Sequence, residues 1–350
     1  MSVTKKYFRA EEFKDEVYSS QNETFEKGFS CGWECGDDYI SYKPGNSTYL
    51  YAHPGAGKTV FTVELFIHLA KNFNKKICVY SPEIGGKKEM VWNIIQVYTG
   101  KRLYGKGSHK ISKNEIEEGL KFVHENFIII ENNPFIDGKI ERFTVRDIFN
   151  QVHLAQKEYN MKVDLLCIDP FNLLDREIDE DRKAIQDYVL STLSFINAAS
   201  KKMNIHTILV AHLAGDELIV DKDTGVEYMP KPHQSKLAGG QSFWRAGYQM
   251  IGLWREPYGV IARSGTPYEE NCTQVLVQKS KPLGVGKVGS FKIYYDDNTH
   301  TMYETYGTAR FRCGELSKRG ISFNNPHVGV VSSAHWYEPS KESVQTEAPF

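Results

Sequence analysis

The stretch AHPGAGKT, Ala52 to Thr59, decides the fold. It follows the apolar run Thr48–Ala52 and opens a helical pattern at Lys58. A glycine-rich turn that ends in Gly-Lys-Thr between a strand and a helix is typical of a phosphate-binding loop, or P-loop. Gly55 and Gly57 allow the chain to turn tightly, so that successive N–H groups can point at phosphate oxygens. The start of the following helix adds partial positive charge.

The residue types of this turn suit a nucleoside triphosphate, ATP, with Mg²⁺. We expect Lys58 to reach the β- and γ-phosphates and the Thr59 hydroxyl to hold Mg²⁺. Ala52 stands where the strict pattern has glycine, and alanine is the next smallest residue. The alternative is a turn without a ligand, which Gly-Lys-Thr at a strand–helix junction argues against. The expected nucleotide-binding residues are Pro54, Gly55, Ala56, Gly57, Lys58, Thr59 and Val60.

The composition is that of an ordinary globular chain, with 350 residues, 41% of them hydrophobic and 25% charged. The formal net charge is −1, so nucleic acid would have to be bound by local loops or at the centre of an assembly. The first residues lack the apolar stretch of a signal peptide, and no run approaches the roughly 20 apolar residues of a membrane span. We therefore expect a soluble cytoplasmic protein, in the host cytoplasm if a phage encodes it.

The six cysteines favour a reducing compartment. Cys78 and Cys167 lie inside apolar runs and are predicted to be small buried hydrophobes. Cys31 and Cys35 form a C-x3-C pair, but a zinc site needs two further ligands and the sequence offers no second pair.

Apolar runs alternate with helical patterns between residues 48 and 212, and the runs are short and continuous. Such strands are typical of a parallel sheet with helices on both faces, and the alternation predicts a doubly wound α/β sheet. The predicted strands are 48–52, 77–81, 127–130, 165–169 and 208–212. The predicted helices are 58–72, 87–97, 144–158 and 183–201, the last with Ile185, Val189, Leu193 and Ile196 on one stripe.

The pattern changes after residue 245, where strands 250–254, 274–278 and 290–295 follow one another without long helices. We interpret them as antiparallel strands added to one edge of the sheet. The predicted organisation is an N-terminal segment (1–24) with a short helix near 9–18, one ATPase domain (25–308), and a mobile C-terminal tail (309–350).

Two carboxylates follow predicted strands. VDLLCID ends at Asp169, which suits a Mg²⁺ ligand acting through water, the alternative being a strand-end turn cap. Glu83 lies in YSPEIG, just past the second strand. If that strand lies beside the P-loop strand, Glu83 faces the γ-phosphate and can orient and deprotonate water. The alternative is a surface glutamate in a Pro/Gly turn.

Together, AHPGAGKT, YSPEIG, the strand that ends at Asp169, and LVAHLAGD resemble the ATPase domain of DnaB-like replicative helicases. Mitochondrial Twinkle and phage primase-helicases are relatives in the same superfamily 4. The resemblance covers about residues 25–305. It implies a RecA-like fold and a homo-hexameric ring that hydrolyses ATP between subunits, translocates on single-stranded DNA and unwinds duplex during replication. It also implies that the segment near 9–18 docks on a neighbouring subunit.

The resemblance assigns roles to four further positions. Glu83 matches the catalytic glutamate and His212 the γ-phosphate sensor. Lys279 and Lys281 match a Lys and an Arg that reach into the neighbouring subunit's site. Lysine at 281 gives a point charge in place of a planar guanidinium fork, which puts this arginine finger in doubt. Nearby alternatives are Arg255 and Arg263.

The family's fourth motif carries Gln and Asp where this chain has Arg245 and Tyr248, so the coupling of ATP state to DNA contact is open. The DNA-contact loop is expected between Ala214 and Lys236, where Lys222, Lys231 and Lys236 can track phosphates, the alternative being an ordinary surface loop. Phe243 and Trp244 are expected to be core or subunit-contact residues rather than base-stacking ones.

Two other functions share the same core. A RecA/RadA-like or KaiC-like ATPase would act in recombination or regulation without unwinding. A regulatory ATP-binding module would hydrolyse without a response to DNA. The first 45 residues are too few for a primase domain, so a primase or loader is expected to be a separate protein.

Overall fold

The P-loop strand lies inside a ten-stranded sheet. The computed structural model describes residues 9–15, 17–18, 28–84, 86–104, 107–131, 142–176, 185–213, 215, 218–262, 264–281 and 285–316. Fourteen strands lie in these ranges: β1 Phe29–Ser30, β2 Ser41–Tyr42, β3 Ser47–Ala52, β4 Ile77–Tyr80, β5 Phe127–Ile130, β6 Leu165–Ile168, β7 His206–His212, β8 Ile219–Val220, β9 Glu227–Tyr228, β10 Gln249–Arg255, β11 Cys272–Ser280, β12 Gly289–Asp296, β13 Thr301–Tyr306 and β14 Ala309–Arg312.

The strand order of the large sheet is β14-β13-β12-β11-β10-β3-β7-β6-β4-β5. The six strands from β10 to β5 are parallel. The four from β11 to β14 are antiparallel to their neighbours. The prediction of a mainly parallel sheet with antiparallel strands at its C-terminal edge is confirmed. Because β3, β7, β6 and β4 are parallel, the residues that follow them meet at one edge of the sheet.

Helices cover both faces of this sheet. Two separate apolar cores result, one under α1 to α3 and the other under α4 to α6. The helices are α1 Lys58–Phe73, α2 Lys87–Thr99, α3 Lys113–Asn126, α4 Val145–Glu158, α5 Ile185–Met203 and α6 Gly240–Ala246. Capping boxes start α3 at Ser112 and α4 at Thr144, where each side chain accepts a hydrogen bond from the backbone of the third helical residue.

Three features of the helices and strands differ from the sequence-based expectation. Helix α3 was not predicted, because its 14 residues are strongly polar and bury little. Ile185 is 42% exposed, whereas the other three residues of its predicted stripe are buried. This follows from its place in the first turn of α5, at the end of the core. Strands β13 and β14 carry the sheet to Arg312, beyond the expected domain boundary at 308.

The segment before β1 was expected to be helical near 9–18, and the structure has a short 3-10 turn at Ala10–Phe13. Residues 317–350 of the expected tail lie outside the described residues. The interpretation of Cys78 and Cys167 as buried hydrophobes is confirmed, since both are at most 1% exposed.

His206 starts β7 beside the P-loop strand and is buried. Its Nδ1 lies 2.8 Å from the carbonyl oxygen of Lys43, and its Nε2 lies 2.9 Å from Oγ1 of Thr48. Burial lowers the pKa of His206 to about 4, although the hydrogen bond to Lys43 opposes the shift. The folded protein therefore holds a neutral imidazole over a range in which the unfolded chain takes up a proton.

We expect acid to destabilise the protein partly through His206. Its contribution to stability is complete above the ordinary histidine pKa near 6.5 and is lost as the pH falls toward 4. Between pH 8 and pH 5 the loss is about 2 kcal/mol. Denaturant titrations of wild type and His206→Gln across this range will measure it. The difference between the two proteins removes contributions from other groups, and equal pH slopes would contradict the assignment.

Candidate active site

The P-loop turn depends on two glycines with left-handed backbone. Gly55 has φ +77° and Gly57 has φ +88°, values that L side chains rarely adopt. A Cβ at Gly57 would also lie 2.6 Å from Cε of Met302, which packs under the turn from β13. Gly57 is the N-cap of α1, so the first free N–H groups of that helix face the turn. The arrangement is that of an anion-binding loop.

Lys58 lies in the middle of this loop. Its Nζ donates hydrogen bonds to the carbonyl oxygens of Ala52 at 3.2 Å and His53 at 3.4 Å. Burial lowers the pKa of Lys58, while the carboxyl groups of Asp169 and Glu83 act in the opposite direction. The ammonium therefore lies in the field of both predicted acids.

The strand ends bring three predicted residues together. Ala52 of β3 pairs with His212 of β7, and β7 pairs with β6, which ends one residue before Asp169. Glu83 follows β4, and we expected that strand to lie beside the P-loop strand. That expectation is wrong, because β7 and β6 lie between them. Glu83 still reaches the site, since the turn after β4 carries it along the same edge of the sheet.

Single oxygen or nitrogen atoms of Glu83, Asp169 and His212 lie within 4.8 Å of one another. Asp169 is 5% exposed, and its Oδ1 has no hydrogen-bond partner within the described part of the chain. Burial raises the pKa of Asp169 to about 6, with a further upward contribution from Glu83 and an opposing one from Lys58. A buried carboxylate oxygen aimed into a polar cluster is what a cation-binding site requires.

His212 contacts the expected base directly: its Nε2 lies 3.2 Å from Oε2 of Glu83, close but poorly aligned for a hydrogen bond. The His212 backbone N–H donates to Oδ1 of Asn172 at 2.8 Å. Asn172 lies in the 3-10 turn Phe171–Leu173 that follows Asp169. Sequence reasoning missed this residue, although an amide side chain three positions after a predicted metal ligand was a usable signal.

A cavity of about 440 Å³ opens beside the P-loop. Its walls come from α1, from the turn that carries Glu83, and from α2, with His300 of the β12–β13 turn at its rim. Thr59 and Glu83 both line it, so the expected Mg²⁺ ligand and the expected base face one space.

These residues fit a nucleotide with Mg²⁺. A hydroxyl at Thr59 and carboxylates at Asp169 and Glu83 supply the hard oxygen ligands that this cation prefers. The glycine turn and Lys58 supply donors for phosphate oxygens. The unpartnered Oδ1 of buried Asp169 is the observation that supports this fit.

The two late lysines differ in environment. Lys279 is 8% exposed, donates to the carbonyl oxygen of Trp244, and has its Nζ 5.3 Å from the centre of that indole ring. Burial lowers the pKa of Lys279, and Lys281 adds to the shift. Lys281 is exposed at the end of β11. Arg255 lies at the end of β10, and Arg263 is outside the described residues.

The expected DNA loop contains the hairpin β8–β9. Lys222 is exposed at its turn, and Lys236 is exposed in a 3-10 turn before α6. Lys231 instead donates to Oε1 of Gln274 at 2.8 Å and lies over Trp254, so it is held against the sheet. Phe243 is in the core as expected, while Trp244 is 41% exposed.

Comparison with known proteins points to replicative helicases. The chain is 26% identical over 307 residues to the Twinkle homolog protein, chloroplastic/mitochondrial, of Arabidopsis thaliana. It is 23% identical over 200 residues to a probable plasmid replicative DNA helicase of Chlamydia trachomatis. These alignments span 83% and 57% of this chain but 39% and 42% of the relatives. The chain thus spans about two fifths of the length of these relatives. No family model matches it.

Solved structures show the same fold. The ATPase domain of one DnaB-like helicase superposes with a TM-score of 0.65 at 16% identity, covering 86% of this chain and 100% of that one. A second DnaB-like replicative helicase, described with its interactions with primase, gives 0.64 at 15% identity and covers 84% and 68%. The predicted resemblance and the RecA-like fold are therefore confirmed. Within the described residues, no helix is both long enough and apolar enough to cross a membrane.

The raised pKa of Asp169 leads to a test of the metal site. Because a protonated carboxyl binds metal poorly, we expect the affinity for Mn²⁺, measured with ADP present, to fall about tenfold from pH 7 to pH 5. Titration followed by electron paramagnetic resonance measures free Mn²⁺ directly. Asp169→Asn should remove this pH dependence and leave only that of the nucleotide phosphates. An identical pH dependence in both proteins would show that Asp169 does not bind the metal.

Proposed function

We propose that this chain is an ATP-dependent DNA helicase of the DnaB-like kind. It hydrolyses ATP between subunits of a hexameric ring, translocates on single-stranded DNA and unwinds duplex during replication. The main support is the meeting of Glu83, Asp169 and His212 at the strand edge that carries the P-loop. The sequence similarity to replicative DNA helicases supports the choice of DNA as the partner.

In this proposal, the amides of the P-loop and Lys58 bind the triphosphate, and Thr59 and Asp169 hold Mg²⁺. The cation, when bound, neutralises charge that develops on the phosphate oxygens. Glu83 orients the attacking water and accepts its proton. His212 donates a hydrogen bond toward the γ-phosphate, and its contact with Glu83 lets the base respond to the nucleotide.

The neighbouring subunit supplies a cation to this site. Of the two matching lysines, Lys281 is the one with an exposed side chain, whereas the Lys279 ammonium is bonded to Trp244 of its own subunit. We assign the contact between subunits to Lys281. A lysine stabilises transition-state charge as a point charge and lacks the bidentate geometry of arginine.

Single-stranded DNA passes the loops that follow β7. The net charge of −1 requires local contacts, and Lys222 and Lys236 are exposed there. Lys231 acts from behind them, as a support for the loop on the sheet. A separate primase or loader completes the replication role, as the structural relative described with primase suggests.

Hydrolysis and its response to DNA test the proposal. We expect single-stranded DNA to stimulate ATPase activity and the protein to unwind a forked duplex. Lys58→Ala should lose nucleotide binding. Glu83→Gln should keep it and hydrolyse ATP about 10²–10⁴ times more slowly, because the water loses its base. Steady-state ATPase assays and nucleotide-binding titrations measure these effects.

Glu89→Gln is the matched control, because Glu89 is an exposed glutamate of α2 close to the site in sequence. It should behave as wild type. Strand exchange without unwinding would favour a recombinase-like ATPase. Hydrolysis that DNA does not change would favour a regulatory module.

The ring requires a contact between subunits, and an apolar groove of about 670 Å³ offers one. It lies between α2, α3 and the edge strand β5, with Trp92 and Leu120 in its lining and Lys87 and Lys88 at its rim. We assign it to the 9–18 segment of a neighbouring subunit. That segment has exposed acids at Glu11, Glu12 and Asp15 and exposed apolar side chains at Val17 and Tyr18. Its charge and its apolar residues complement the groove.

A charge placed in this groove should disrupt the ring. Leu120 is 48% exposed, and we expect Leu120→Asp to shift the protein from hexamers to smaller species. Leu154→Asp is the control, since Leu154 is 56% exposed on α4 and does not line the groove. Mass photometry or sedimentation measures the outcome. An intact hexamer in a folded Leu120→Asp variant would place the subunit contact elsewhere.

A further inference from the structure

Glu64 is a buried acid that the proposed hydrolysis does not use. It lies inside α1, six positions after Lys58, and is 2% exposed. Its Oε1 accepts a hydrogen bond from the backbone N–H of Met302 at 3.2 Å. The same carboxylate pairs with the guanidinium of Arg312, whose Nη2 lies 3.3 Å from Oε1 and 3.5 Å from Oε2. A carboxylate buried to this degree is costly unless it has such partners.

Arg312 connects this helix to a second one. It belongs to β14, the outermost strand of the sheet. Its Nη2 also donates to the carbonyl oxygen of Val97 in the last turn of α2. The guanidinium is packed against the C-cap of α2, since a Cβ on Gly100 would lie 3.1 Å from Nη1. A cation at a helix C-terminus is stabilised by the free carbonyl groups there.

The two helices joined in this way carry the two halves of the active site. α1 begins in the P-loop and carries Thr59, whereas α2 begins at Lys87, just after the turn that holds Glu83. They form opposite walls of the cavity that Thr59 and Glu83 share, and Val97 lines that cavity too. Arg312 therefore ties the walls together at the end of α2 that is remote from Glu83.

Burial raises the pKa of Glu64 to about 7, although Arg312 opposes the shift, and Glu315 raises it further. The carboxylate thus depends on the guanidinium to stay charged near neutral pH. Removing Arg312 would leave either an uncompensated buried charge or a neutral acid, and either state weakens the link between β14 and α1.

We propose that Glu64 and Arg312 are positioning residues for hydrolysis, which hold α1 and α2 at the separation that places Glu83 correctly against the phosphates. This inference rests on the proposed ATPase function. Neither side chain lines the cavity, so they act through the helices and not on the nucleotide. An error of about 1 Å in such a separation can cost about 10²-fold in rate while binding is kept.

The test separates turnover from binding. In Arg312→Met we expect kcat to fall at least about tenfold, while KM and the affinity for a fluorescent ADP analogue change less than about twofold. Arg312→Lys should recover only part of kcat, because an ammonium lacks the planar fork that reaches Glu64 and Val97 together. Glu64→Gln keeps the acceptor for Met302 and should give the same separation of kcat from binding.

Arg310→Met is the matched control, since Arg310 is an exposed arginine of the same strand whose guanidinium lies over Tyr303. It should keep wild-type kcat. If Arg312→Met fails to fold, as circular dichroism and thermal melting would show, Glu64→Gln carries the test. The proposal is overturned if folded variants keep kcat within about twofold of wild type, or if nucleotide affinity falls by the same factor as kcat. A wild-type protein that binds no nucleotide would instead overturn the proposed function itself.

Discussion

The electrostatic relation between the Lys58 ammonium and the buried Asp169 carboxylate underlies the rest of this site. Burial disfavours the charged form of both groups, and each partly offsets the cost for the other. Neither side chain satisfies the other by direct hydrogen bonding in the structure, since Lys58 bonds to loop carbonyls and Oδ1 of Asp169 is unpartnered among the described residues. The site is therefore arranged to receive phosphate and a divalent cation, which would complete both sets of contacts.

The geometry of that pair depends on support from distant parts of the chain. Gly57 turns α1 toward the strand edge, and Met302 from β13 fills the space that a side chain there would need. The antiparallel strands at the C-terminal edge thus do more than extend the sheet. Through Met302, Glu64 and Arg312 they contact the helix that carries the P-loop, and through Val97 they contact the helix after Glu83. The last described strand is in this way part of the active-site framework.

Sequence reasoning identified the strands of the parallel core because continuous apolar runs between turn signals are unambiguous when both faces are buried. It identified Lys58, Thr59, Asp169 and His212 for the same reason, since each follows directly on such a run. It failed where the signal was weak or non-local. Helix α3 is polar over most of its surface, and Asn172, Glu64 and Arg312 have roles only through partners far away in sequence.

By itself, the sequence determined the P-loop, the α/β class and the identity of the acids, because these depend on residue type, spacing and local periodicity. Only the tertiary structure decided the strand order, which places β7 and β6 between the P-loop strand and the strand before Glu83. It also decided that Lys279 is bonded within its own subunit while Lys281 is exposed, and that Arg312 joins two helices. The physical reason is that burial and ion pairing depend on contacts between residues distant in sequence, and local patterns carry no information about which of those contacts form.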